Sequence, residues 1–310
     1  MGILIQFILL IVGFTLLARG ADCFVDGAAG IAGKFGIPQL VIGLTIVAMG
    51  TSAPEAAVSI TAALKNSAEI TIGNVVGSNI LNVLIILGIT SVITAVAVAK
   101  STVKYEMPYM IFITLLLLVF GYTGGQVTFI EGVLLWVCFI IYLAYLFRMA
   151  KNNKEEADDG VKEKSMFKLC VLTVIGLVCI ILGSDVTVDA ATEIAKAVGL
   201  SKRFIALTVV ALGTSLPELF TSVSAAMKGK ADIAIGNIVG SNVFNILFVV
   251  GTTALITPVL FELKFVVDTL IAAGAGLLLW LCVFKKQQLK RTHGIIMLGC
   301  YAAYFMYLIH

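Results

Sequence analysis

Two glutamates lie within apolar stretches long enough to cross a bilayer, each directly after a proline, in a hexapeptide that the chain uses twice. Gly50-Thr51-Ser52-Ala53-Pro54-Glu55 returns 163 residues later as Gly213-Thr214-Ser215-Leu216-Pro217-Glu218. A charge at membrane depth is costly unless it is paired or faces a cavity. A proline there leaves backbone carbonyls without their helical donors. A fold that tolerates this arrangement twice must bring the charges to a shared polar interior. The repeat therefore reads as two halves of one buried ion site.

The rest of the chain supplies the apolar surroundings. Of 310 residues, 60% are hydrophobic and only 13% charged, against roughly 25% charged in soluble domains. Mean hydropathy is +1.08. This composition predicts an all-α polytopic membrane protein and excludes a water-soluble globular enzyme. Six cysteines are scattered without a Cys-x-x-Cys pair, mostly in apolar runs where cysteine acts as a small packing residue. They indicate neither a disulfide framework nor a metal cluster. The net charge of +3 carries little weight, because charge here follows topology. Residues 1–17 lack the basic start of a signal peptide and read as the beginning of the first span.

Ten spans are predicted, at 3–33, 38–65, 69–98, 105–122, 127–148, 167–197, 202–228, 232–258, 262–284 and 292–309. Several exceed the roughly 20 residues a span needs, and internal glycine and proline predict tilted or broken helices. The polar run Lys151 to Lys164 separates spans 1–5 from spans 6–10. The expected organisation is a first five-helix repeat over 1–149, a solvated cytoplasmic linker over 150–166 and a second repeat over 167–310. With the N-terminus outside, inside loops hold fifteen basic residues and outside loops five. The positive-inside rule therefore places both termini outside.

Held at the same 163-residue offset, the repeat widens. Gly73-Asn74-Val75-Val76-Gly77-Ser78-Asn79-Ile80-Leu81-Asn82 faces Gly236-Asn237-Ile238-Val239-Gly240-Ser241-Asn242-Val243-Phe244-Asn245, with seven of ten positions identical. Asp22 and Asp26 match Asp185 and Asp189. Five spans per half is an odd number, so the second copy enters the membrane with opposite sense. This predicts ten helices as two inverted repeats, with helices 2, 3, 7 and 8 broken.

The motif chemistry points to cations. Pro54 frees the Gly50 carbonyl and Pro217 that of Gly213. Hard cations accept such oxygens together with carboxylates and side-chain oxygens. Thr45, Ala48, Ser52, Glu55 and Ser59 step by three or four and share a helix face. Thr208, Ala211, Ser215, Glu218 and Ser222 do the same, as do Asn74, Ser78 and Asn82, and Asn237, Ser241 and Asn245. Gly73 with Gly77, and Gly236 with Gly240, offer small surfaces for close helix approach. The bland readings differ by residue. A Gly-x-x-x-Gly pair is most often packing, and single serines and threonines often bond back to their own helix. The duplicated aspartates serve ion access and gating or are structural. Asp268, Glu131, His293 and His310 have no duplicated or ligand-like neighbour and read as structural.

Together, Gly-Thr-Ser-x-Pro-Glu followed by Gly-Asn-x-x-Gly-Ser-Asn, present at both places, resembles the sodium/calcium exchanger family of the cation/Ca²⁺ antiporter superfamily, in its short-linker prokaryotic form. The resemblance spans nearly the whole chain. It implies four clustered cation sites at the membrane midplane, with Glu55 and Glu218 as shared carboxylates. It assigns backbone carbonyls to Thr51 and Thr214. Ser52, Ser78, the Ala48 carbonyl and Glu55 would line one sodium site, and Ser215, Ser241, the Ala211 carbonyl and Glu218 its mirror. Asn82 and Asn245 would border the central position. Some potassium-dependent members carry aspartate where this chain has Asn245, so the resemblance implies potassium-independent exchange of three Na⁺ for one Ca²⁺.

The resemblance implies Ca²⁺ and Na⁺ as substrates in a prokaryotic inner membrane. Neither a cofactor nor a nucleic-acid partner is expected, and the chain is expected to work as a monomer. A Glu can also carry a proton, so an H⁺/Ca²⁺ antiporter is the second reading, and proton competition is expected at acid pH. A cation channel is a third. No nucleophile–base pair or phosphate loop supports an enzyme.

Overall fold

The computed structural model describes residues 3–65, 68–152, 165–199 and 211–309. Most of the linker and the first part of the expected seventh span, including Thr208, lie outside the described residues, as does His310. The two longest helices are α1 (Ile3–Phe35) and α7 (Met166–Ala197), of 33 and 32 residues. At 1.5 Å per residue each is about 50 Å long, well beyond the roughly 30 Å hydrocarbon core.

These two helices run antiparallel, and glycine sets how closely. Gly13 lies against Gly183, Gly20 against Gly176, and Gly27 against Leu169 and Thr173. A Cβ on Gly20 would stand 2.9 Å from the Gly176 carbonyl oxygen, and one on Gly183 would stand 2.8 Å from the Leu17 amide nitrogen. Gly13 and Gly20 are the 163-residue equivalents of Gly176 and Gly183. The two copies of the first helix are thus seamed backbone to backbone in opposite directions. In lipid, where burial of apolar surface gives no drive for helix association, such small-residue seams supply close van der Waals packing.

The duplicated hexapeptide breaks its helix in both copies. Helices α2 (Gln39–Thr51) and α3 (Ala53–Leu64) meet at 50°. Ser52 leaves the helical region with φ −83° and ψ 8°, and Pro54 falls in the first turn of α3, where its missing N–H costs nothing. In the second copy α8 (Ala211–Thr214) and α9 (Leu216–Met227) flank Ser215 at φ −91° and ψ 4°.

Spans 3 and 8, expected to be broken, each run as one continuous helix, α4 (Ile70–Ile93) and α10 (Ala231–Ile256). They contain no proline. Their irregularity is a π-helical stretch, Asn82–Leu87 and Asn245–Val250, that opens on the duplicated asparagine. They also end earlier than expected, because Thr94 and Thr257 turn to extended backbone. Strands β1 (Val96–Ala97) and β3 (Val259–Leu260) follow them.

The remaining helices are α5 (Thr102–Gly124), α6 (Phe129–Asn152), α11 (Lys264–Val283) and α12 (Arg291–Ile309). Strands β2 (Gln126–Val127) and β4 (Gln288–Leu289) cap the α5–α6 and α11–α12 turns. Strand β1 pairs antiparallel with β4, and β2 with β3, so each half closes on a strand of the other. Among the described residues seven helices are long and apolar enough to cross a bilayer, or eight with the bent pair taken as one span. The apolar window of α10 is 94% buried and that of α4 72%, against 17% for α1. The Asn/Ser helices therefore form the axis of the bundle, and α1 lies on its lipid-facing side, with Leu4, Phe7 and Ile11 outward.

The seam between α1 and α7 yields a direct test. Gly20→Leu would force the helices apart, at a cost of about 1–3 kcal/mol. Gly124→Ala, where an added Cβ meets nothing within 4 Å, should be silent. Thermal unfolding in detergent should separate the two; equal melting temperatures would refute the seam.

Candidate cation site

Glu55 and Glu218 open the short helices α3 and α9 and are fully buried. A carboxylate in a first turn meets the positive end of the helix dipole. Neither Ser52 nor Ser215 caps the helix it precedes. Their hydroxyls turn to the opposite copy. Ser52 donates to Glu218 Oε1 at 2.9 Å. Ser78 Oγ lies 3.4 Å from Ser215 Oγ, and Ser78 donates to Glu55 Oε1 at 3.3 Å. One carboxylate of each copy is thus held through hydroxyls from α2 and α4.

The asparagines lock the break in place. The Asn74 amide donates to the Glu55 carbonyl at 3.2 Å and to Ser59 Oγ at 2.9 Å. The Asn237 amide repeats this, to the Glu218 carbonyl at 3.4 Å and Ser222 Oγ at 3.0 Å. Thr51 then donates to Asn237 Oδ1 at 3.0 Å. The Ala48 carbonyl gathers three donors: the Ser52 amide at 3.0 Å, and the hydroxyls of Thr51 and Ser241, each at 3.3 Å. The Ala48 carbonyl thus keeps its helical donor and accepts two hydroxyls besides, while the Gly213 carbonyl beside the second break accepts from Ser184 at 2.7 Å.

At the crossing of α4 and α10 the two copies exchange bonds reciprocally. Asn79 donates to the Asn242 carbonyl at 3.2 Å, and Asn242 to the Asn79 carbonyl at 3.3 Å. Asn82 donates to Asn242 Oδ1 at 2.9 Å, and Asn245 to Asn79 Oδ1 at 3.1 Å. Each bond has its mate at the 163-residue offset, which makes this a local two-fold.

The consequence is a set of oxygens with nothing to accept. Glu55 Oε2, Glu218 Oε2, Asn82 Oδ1 and Asn245 Oδ1 are all buried and, among the described residues, unbonded. Leaving such groups unpaired costs about 1–3 kcal/mol each, more for a charge. All four are acceptors, and they come as two symmetric pairs. The donor set that would satisfy them is a cation held by oxygen. Among the described residues no group of three His, Cys, Asp or Glu is placed to hold a metal, so the oxygens of amides, hydroxyls and carbonyls must complete any coordination.

Of the residues singled out by sequence, Ser52, Ser78 and Ser215 join the two glutamates in one hydrogen-bonded chain; Thr51 and Ser241 meet at the Ala48 carbonyl, and Asn82 and Asn245 belong to the network at the α4–α10 crossing; Thr214 and Ala211 sit in α8, the symmetric counterpart of the end of α2. The Thr45 hydroxyl instead bonds back to the Val41 carbonyl at 2.6 Å. Glu131 caps α6 through the amide and hydroxyl of Thr128. Asp268 accepts from Tyr304, and His293 accepts from the Lys290 amide. Asp22 and Asp26 accept from Ser224, Lys228 and Lys230 at the α9–α10 turn. Asp185 and Asp189 form no ion pair among the described residues. Sequence reasoning missed the positioning part of Asn79 and Asn242. The repeated Gly-Ser-Asn was the signal, but helical spacing placed these residues off the polar face.

Comparison with known proteins adds a separate line of support. The family described as sodium/calcium exchanger protein matches residues 5–148 and 168–310. A putative antiporter, CaxA of Alkalimonas amylolytica, is 37% identical over 97% of this chain and 98% of its own. The sodium/calcium exchanger MaX1 of Methanosarcina acetivorans is 31% identical over 99% of both. A solved structure of the sodium-calcium exchanger NCX_Mj, soaked with zero Na⁺ and Ca²⁺, superposes with TM-score 0.85 and 31% identity, covering 99% of this chain and 100% of that one.

The asparagine latch has a measurable weight. Asn237→Ala removes two donated bonds and the acceptor of Thr51 in a fully buried setting, whereas Asn74 is only half-buried. Detergent melting should show the larger loss for Asn237→Ala, with about 1–3 kcal/mol for each group it orphans. A smaller loss than for Asn74→Ala would count against the latch.

Proposed function

This chain belongs to the sodium/calcium exchanger family, and on that premise we propose that it exchanges Na⁺ for Ca²⁺ by alternating access at the Glu55–Glu218 site. The observation that carries the reading is the symmetric set of four buried, unbonded oxygens on Glu55, Glu218, Asn82 and Asn245. Ca²⁺ takes about 6–8 oxygens, and the hydroxyls of Ser52, Ser78, Ser215 and Ser241 with the Ala48 and Ala211 carbonyls complete such a shell. Backbone oxygens at Thr51 and Thr214 join it. The same oxygens serve Na⁺, so the two ions compete.

Charge balance supports exchange rather than leak. Two carboxylates neutralise one Ca²⁺, while three Na⁺ leave one positive charge in excess. An empty site would carry two uncompensated anions through the membrane interior, a state strongly disfavoured. With Asn at both central positions there is no third carboxylate, which argues against K⁺ as a co-substrate.

The architecture we infer is ten helices in two inverted repeats, residues 1–149 and 167–310, joined by a cytoplasmic linker in a prokaryotic inner membrane, with both termini outside. The antiparallel α1–α7 seam and the reciprocal asparagine bonds support it. In this reading α1 and α7 move together against the rest of the bundle. Asp22 and Asp26 tie α1 to Lys228 and Lys230, on the side that basic residues assign to the cytoplasm. These pairs hold the cytoplasmic path closed and part when the site opens inward.

Proteoliposomes loaded with Na⁺ should accumulate ⁴⁵Ca²⁺ when diluted into Na⁺-free medium. Glu55→Gln and Glu218→Gln should each cut that uptake by on the order of a hundredfold, the loss of a charged ligand being worth several kcal/mol. Undiminished uptake in either variant would refute the site. Uptake driven by a proton gradient with no dependence on Na⁺ would move the protein to the H⁺/Ca²⁺ reading, and single-channel currents without a counter-ion to a channel.

Acidification should also act through these carboxylates. Only their charged forms hold Ca²⁺, so lower pH should raise the Ca²⁺ concentration needed for half-maximal uptake, and excess Ca²⁺ should restore the rate. Inhibition that excess Ca²⁺ leaves unrelieved would place the protonated group elsewhere.

A further inference from the structure

Away from the duplicated site, α5 and α6 enclose a cavity of about 400 Å³, within the roughly 300–1,000 Å³ range of small-molecule sites. We propose that it binds an organic ammonium group, presented by the headgroup of a membrane aminophospholipid.

Among its lining residues is a second buried carboxylate. Glu106 is 1% exposed, and its Oε1 accepts from Tyr145. Among the described residues its Oε2 has no partner, and the hydroxyl of Tyr142, which also lines the cavity and is 4% exposed, has none either. An acceptor and a hydroxyl thus line one cavity with their bonding unspent. Among the described residues no basic side chain pairs with Glu106. The nearest candidate in sequence, Lys104, instead lies over the Tyr105 ring at 5.0 Å.

The walls specify the chemistry of the guest. Tyr105, Tyr109, Tyr142 and Tyr145 surround the carboxylate. Tyr109 and Tyr142 stack at 5.5 Å with 8° between planes, and the Tyr109 hydroxyl is spent on the Cys138 carbonyl. Aromatic faces next to one carboxylate attract an ammonium through cation–π and ionic contact. A bare divalent ion would lack the 6–8 oxygens it requires.

The layout along the helices favours a lipid as the carrier. Lys104, Tyr105 and Tyr145 stand near the polar ends of α5 and α6, where Arg148 and Lys151 follow. One to two turns deeper the lining becomes Phe112 and Ile141, both exposed on the bundle surface. The cavity thus grades from charge through tyrosine to apolar wall, in the order of phosphate, ammonium and acyl chain. Tyrosine at this depth matches the aromatic interfacial belt. The cluster is not repeated position for position: the equivalents of Lys104, Glu106, Tyr142 and Tyr145 are Val267, Thr269, Phe305 and Leu308. The second half has an acid–tyrosine pair, Asp268 with Tyr304, but that acid is only half-buried.

Native mass spectrometry of the full chain in mixed micelles tests this, with phosphatidylethanolamine and phosphatidylglycerol of the same acyl chains. Phosphatidylethanolamine should be retained preferentially, and Glu106→Gln, which keeps a bond to Tyr145 but removes the charge, should lower that retention about tenfold, near the upper end for a desolvated ammonium contact. Tyr142→Phe, with its ring packing intact, should lower it less, and phosphatidylglycerol should respond to neither change. Equal retention of the two lipids, or wild-type retention in both variants, would overturn the proposal. Free ethanolamine that displaces the lipid at matching concentration would keep the ammonium pocket and overturn the lipid as its source.

Discussion

Everything in this fold answers to one electrostatic constraint: two glutamates, fully buried, each with an oxygen that no group among the described residues satisfies. Among those residues no basic side chain pairs with either of them. The helix breaks put each carboxylate in a first turn, where the dipole is favourable. Serine hydroxyls hold one oxygen of each, Ser52 reaching across to Glu218 and Ser78 of the same copy reaching Glu55. What is left over is a demand for positive charge, and that demand is the property an exchanger uses.

The two-fold relation does the positioning. A single copy of the hexapeptide would leave one glutamate against lipid or an apolar helix. The antiparallel glycine seam of α1 and α7, the strands exchanged between halves and the reciprocal Asn79–Asn242 bonds bring the copies face to face. Because Asn79 and Asn242 take up the amide donors of Asn245 and Asn82, the oxygens of those two side chains stay free. The asparagine pairs thus convert a hydrogen-bonding residue into a pure acceptor. Continuous α4 and α10 carry this network along the axis, while the bent α2–α3 and the α8–α9 interruption present the Ala48 and Gly213 carbonyls to hydroxyls of other helices.

Glu106 shows the same physics put to another use. It too is buried with an open acceptor among the described residues, but the rings and phenol groups of tyrosines surround it, and its positional equivalent in the second half is Thr269. The surrounding groups, and not the carboxylate itself, separate an inorganic-cation site from a pocket suited to an organic ammonium.

Several features were legible without coordinates. The repeated Gly-Thr-Ser-x-Pro-Glu located both helix breaks, because proline's missing donor acts locally. Hydropathy located the long apolar helices, since the bilayer sets their length. The polar periodicity named most of the converging side chains. Three things depended on tertiary structure. Spans 3 and 8 run on as single helices through a π-helical stretch, which has no composition signal. Thr45 bonds to its own helix although it shares the face of Glu55, because back-bonding competes with any inward role. Asn79 and Asn242 were visible as letters of a motif but not as the residues that hold the centre open. By itself the sequence determined that two buried acids recur in a membrane, for burial and charge follow from local composition. Which oxygens remain unsatisfied was decided only when the copies met, because a hydrogen bond across 163 residues depends on distance in space and not on spacing in the chain.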